Sequence, residues 1–162
     1  MKKSNGFLLL SLCIYMLCFM VLFISMMRLF VPALIHMHTM HQKAQAIMDI
    51  HTVADILLYD LWQSPSNKGQ WNTYTSSIII WNNGIESIGW SNTQDGVMRI
   101  QGNYDATKQQ WTKKIQQLIG PQLHIHFAVD YSHDRINQVT VYIKDTKDTH
   151  NTVTVMWSFY GR

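Results

Sequence analysis

From Phe7 to Met27 the chain carries 21 consecutive residues without a charge, and only Ser11, Tyr15 and Ser25 bear a hydroxyl. As a helix rising roughly 1.5 Å per residue, this run reaches about 31 Å, enough to cross a hydrocarbon core. Lys2 and Lys3 precede it and Arg28 follows, a balance that favours a single pass with the N-terminus inside. A secretory signal peptide fits poorly, because the run exceeds the usual core of roughly 7–15 residues and no small-x-small cleavage site comes after it. Leu12 stands before Cys13, where lipid attachment needs a small residue. The run is expected to be an anchor.

The anchor explains the composition. The net charge is +3, from 13 Lys and Arg against 10 Asp and Glu. Lys2, Lys3 and Arg28 account for the excess, so the rest of the chain is balanced, which argues against a nucleic-acid-binding surface. Both cysteines, Cys13 and Cys18, lie in the apolar run. No disulfide framework, zinc ribbon or cysteine nucleophile is therefore expected outside the membrane.

Pro32 falls just past the span, where a kink or break is expected. Helical patterning then resumes. Ile47, Ile50, Ala54, Leu57 and Leu61 recur at three- and four-residue spacing on one face, with Asp49, Asp55 and Asp60 off that stripe. The breakers from Ser64 to Gly69 predict an end near Gln63. Further on, Ser76–Trp81 reads as a strand closed by the turn Asn82-Asn83-Gly84; Ile85, Ile88 and Trp90 continue weakly as strand, and Gly96–Ile100 is another. Thr107–Ile119 reads as a helix, with Trp111, Ile115, Leu118 and Ile119 on one side and Gly120-Pro121 as its stop. Three alternating segments come last. Leu123, Ile125, Phe127, Val129 and Tyr131 form one inward set; Val139, Val141 and Ile143 a second; Val153, Val155, Trp157 and Phe159 a third. They predict an antiparallel meander with one face buried. The expected fold class is α+β, a long N-terminal helix packed on an antiparallel sheet.

Lys2-Lys3-Ser4-Asn5-Gly6 followed by Phe7-Leu8-Leu9-Leu10 resembles the leader of a type IV prepilin. Asp60-Leu61-Trp62-Gln63 is similar to the helix end of J-type minor pseudopilins, PilW-like minor pilins and competence pseudopilins. So are Gly96-Val97-Met98-Arg99-Ile100-Gln101-Gly102, Gln122–Phe127 and Gln138–Ile143 in their order along the chain. The resemblance implies a leader over 1–6, a transmembrane helix over 7–27, an amphipathic extension over 28–63 and a β-rich pilin-like head over 64–162. It implies processing between Gly6 and Phe7 by a prepilin peptidase, with N-methylation of Phe7. The family places glutamate where this chain has Ser11, a departure shared by some minor subunits at the filament tip.

Chemistry elsewhere is sparse. His36, His38 and His41 sit just beyond the anchor, and His124, His126 and Asp130 share one strand face. A catalytic zinc site needs a third ligand and a nearby general base, so a polar, solvent-facing strand is the favoured reading and no metal is expected. The acidic turns Asp130–Asp134 and Asp145–Asp148 match no EF-hand spacing, and ordinary turn chemistry accounts for them. No nucleophile elbow or phosphate-cradling loop is present. The six tryptophans read mainly as core, against an aromatic binding surface. With the resemblance, these residues imply a structural subunit rather than an enzyme, without cofactor. It would sit in the cytoplasmic (inner) membrane with an extracytoplasmic head, and its partners would be other pilins or pseudopilins and the prepilin peptidase. The alternative is a singly anchored extracytoplasmic binding module unrelated to pili.

Overall fold

The computed structural model describes residues 4–147 and 151–159, with the backbone course alone for 4–6. Met1, Lys2 and Lys3 of the expected leader, and Asp148 of the second acidic turn, lie outside the described residues. Helix α1 runs Ser4–Trp62. The chain divides into two compact units, Met1–Ala44 and Gln45–Arg162.

In the first unit, α1 is long and apolar enough to cross a membrane. Its large side chains stand open, Phe7 at 76% and Leu17 at 67% exposure. Pro32 lies inside the helix, which continues on both sides. The expected break does not occur: proline deletes only the N–H that would reach the Arg28 carbonyl, and the flanking hydrogen bonds hold the turn.

In the second unit, the rest of α1 joins two antiparallel sheets. The first contains β1 (Trp71–Tyr74), β2 (Ile78–Asn82), β3 (Ser87–Thr93), β4 (Gly96–Asp105) and β5 (Gln110–Pro121), in sequential order. The second contains β6 (Leu123–Ser132), β7 (Arg135–Asp145) and β8 (Thr152–Ser158). The expected single sheet is thus two. Pro121 cannot donate to a ladder and Gln122 takes φ +63°, so the chain leaves the first sheet there. The Asn92 side chain bridges the gap, donating to the Ile125 carbonyl at 2.7 Å and accepting from the Ile125 N–H at 2.8 Å.

The β6–β8 meander follows its alternation. Leu123, Ile125, Phe127, Val139, Val141, Ile143 and Val155 are buried. A register shift between Asp130 and Tyr131 turns Tyr131 outward, to 47% exposure, and Ile136 enters the core instead. The inward side chains of both sheets close on Ile50, Val53, Ala54, Leu57 and Leu61 of α1 in one apolar cluster. Ile47, at the head of the expected stripe, is 45% exposed. The helix stops at Trp62, where the Ser64 hydroxyl and N–H both donate to the Leu61 carbonyl.

The segment Thr107–Ile119 is not a helix. It holds the turn and most of strand β5, paired with β4 from Gly96↔Pro121 to Asp105↔Gln110. The Asp105 carboxylate accepts from the Thr107 and Lys108 N–H groups and Gln109 sits at φ +52°, closing a hairpin turn. The three- and four-residue spacing of its apolar side chains is incidental: Ile115 is 73% exposed and Leu118 44%. Cross-strand pairing overrides local helical pattern. Ile85 lies in the β2–β3 turn at 91% exposure, not in strand, because Asn83 Oδ1 takes the Ile85 and Glu86 N–H groups.

Candidate functional site

The open face of α1 is built from residue type alone. Between Phe7 and Met27 nothing needs water, and every large side chain there is exposed. Each gains about 1.5–3 kcal/mol on leaving water. Phe7 opens the run, Ser11 is half-buried among its helix neighbours, and Cys13 and Cys18 are free and exposed. Gly6 is helical. The face can therefore insert in lipid or pack against other apolar helices.

The C-terminal part of α1 is fixed by a buried ion pair that the amphipathic pattern did not show. Asp60, expected off the stripe, is fully buried. It follows Val53 and Leu57 by seven and three residues, so it shares their face. Trp90 and Arg99 are direct cross-strand partners on β3 and β4, and both reach this carboxylate. Arg99 Nε donates to Asp60 Oδ2 at 2.6 Å and Nη2 to Oδ1 at 2.8 Å, a two-point clamp. Trp90 Nε1 donates to Oδ2 at 2.9 Å. Arg99 Nη1 donates to Gln101 Oε1 at 2.8 Å, and the Gln101 amide donates in turn to Glu86.

The hydrogen bonds that Arg99 donates to Asp60 raise its pKa against the opposing effect of burial, and the negative charges of Asp60 and Glu86 add to the rise. The guanidinium is thus held charged. With both carboxylate oxygens bonded, the network acts as a lock between helix and sheet. The signal for it was present in Asp60-Leu61-Trp62-Gln63 and in Gly96–Gly102, the two segments it joins.

His124, His126 and Asp130 stand exposed on the outer face of β6. His126 packs 6.0 Å from Tyr142, and Asp130 accepts from Asn137 at 3.5 Å. His36, His38 and His41 are exposed on α1, where Gln42 Nε2 lies 3.0 Å from His38 Nε2. Among the described residues, no three His, Cys, Asp or Glu side chains gather as a ligand set. Trp71, Trp81 and Trp90 are core, Trp111 and Trp157 are half-buried, and Trp62 is 54% exposed.

Comparison of the chain with protein-family models, curated proteins and solved structures gave no match.

Proposed function

We propose that this chain is a minor pilin-like subunit that anchors in the cytoplasmic (inner) membrane by a single pass, N-terminus inside, and packs laterally with related subunits into a secretion or pilus-type filament. The carrying observation is the surface of α1: an uncharged helix face, open along Phe7–Met27, belongs to the same helix whose last turns are locked to a β-rich unit. An anchor alone needs only the first feature. A subunit that must hold its head on a helix packed among others needs both.

Gly6 and Phe7 are the processing site in this reading. Ser11, without a carboxylate, leaves a neighbour's terminal ammonium unpaired in an apolar filament core, a costly arrangement. That favours a position at an end of the filament over one in its repeating shaft. Its work is structural, so the buried network has no catalytic duty.

The test places a photoreactive residue at Leu17, which is exposed on α1, and reads its neighbours in intact membranes. The expected product is a cross-link to another short single-pass chain whose own apolar run follows a basic, glycine-ended leader. Cross-links to lipid only would favour the anchored binding module instead.

A further inference from the structure

Residues 36–41 read His-Met-His-Thr-Met-His, so every side chain but Thr39 offers a nitrogen or sulfur donor to a metal. They lie within the unbroken course of α1, and all are exposed. At 3.6 residues per turn, His36, Met40, Met37 and His41 fall in that order around one arc of about 140°. Met40 comes four residues after His36, His41 four after Met37, and Met40 three after Met37. Each of these pairs therefore has Cβ atoms roughly 5–6 Å apart. Two thioether side chains occupy the middle of the face, with an imidazole on each flank. His38 falls outside the arc, and its Nε2 lies 3.0 Å from Gln42 Nε2.

Two simpler roles each leave half of this face unexplained. A polar collar beyond the membrane span has no use for methionine at 37 and 40. An apolar stripe for lipid or another helix has no use for histidine at 36 and 41. Together the four side chains form a chelating set whose chemistry selects the ion. No Asp or Glu occurs from Met1 to Met48, so the segment lacks the carboxylates that calcium, magnesium and manganese take as ligands. Thioether and neutral imidazole bring no negative charge, and Lys43, three residues after Met40, adds a positive one nearby. Both features favour an ion of single charge over a divalent one. Thioether sulfur is a soft ligand that selects Cu(I), and imidazole also suits copper.

We infer that this face of α1 binds one Cu(I) ion between Met37 and Met40, with His36 and His41 as the flanking ligands. The helix fixes the four Cα positions in advance, and rotation about side-chain bonds closes the set. Binding here requires no filament.

The test is a titration of the full-length protein in detergent micelles with Cu(I), supplied without oxygen as its acetonitrile complex and read by NMR of methyl-labelled methionine. The protein has ten methionines, and Met37→Leu and Met40→Leu identify the two signals of interest. Leucine favours helix as methionine does, so both variants keep α1. Those two signals are expected to move together and saturate at one ion per chain. His36→Ala with His41→Ala is expected to weaken the saturation at least about tenfold, as loss of even an outer-shell partner does. His124→Ala with His126→Ala, on β6, is expected to leave it unchanged. Signals of Met37 and Met40 that stay still under excess Cu(I) would overturn the inference. So would an equal response to Zn(II), or a midpoint indifferent to the loss of His36 and His41.

Discussion

Asp60 is the buried carboxylate of the ion pair that joins α1 to the first sheet. A carboxylate with no exposed surface is tolerable only when its oxygens are bonded, and Trp90 and Arg99 bond both. Replacing Asp60 with Ala strands a guanidinium that is only 17% exposed and should cost about 3–5 kcal/mol. The double replacement Asp60→Leu with Arg99→Met should recover most of that loss, because it removes the buried charge instead of orphaning it. Denaturant titration of the full chain in micelles checks both values. Trp81 offers the opposite case. It is fully buried, yet its Nε1 has no hydrogen-bond partner among the described residues, so the indole's packing is offset by an unsatisfied donor. Trp81→Phe should change stability by less than about 1.5 kcal/mol in the same titration, despite the smaller ring.

At the level of elements, the β4–β5 hairpin depends on backbone positions open only to glycine, Gly96 and Gly102, and Gly102 is the tighter. Gly102 has φ +150°, and a Cβ there would lie 1.9 Å from the Lys113 carbonyl oxygen. Gly102→Ala should push the two strands apart at a cost of about 1–3 kcal/mol. Amide hydrogen exchange should then lose protection across Lys113–Leu118 while β6–β8 retain theirs; equal exchange in wild type and variant would contradict this placement. The same hairpin shows why sequence patterns misled. Trp111, Ile115, Leu118 and Ile119 carry a helical period, but they form an edge strand whose pairing with β4 is a long-range effect. The β6–β8 meander was legible because alternate residues face one core, and local pattern and tertiary burial agree there. Asp60 was missed for the converse reason. Charge assigned it to the surface, while its position three residues after Leu57 put it on the buried side, and only partners 30 and 39 residues away make that burial possible.

For the molecule as a whole, two demands fall on α1. Its first part presents an apolar surface that water cannot solvate favourably, and its last turns are tied by apolar packing and an ion pair to the two sheets. A helix long and apolar enough to cross a membrane was readable from one run of 21 residues without a charge. What covers the apolar surface of this part of α1 depends on molecules outside this chain. The filament account commits to one covalent event before assembly, cleavage after Gly6 with methylation of the new terminus. Intact-mass and N-terminal peptide analysis of the protein purified from its native membranes reads that event directly. The account predicts a chain that begins at N-methylated Phe7. A mature chain still carrying Met1–Gly6 would contradict it and leave an anchored binding module in its place.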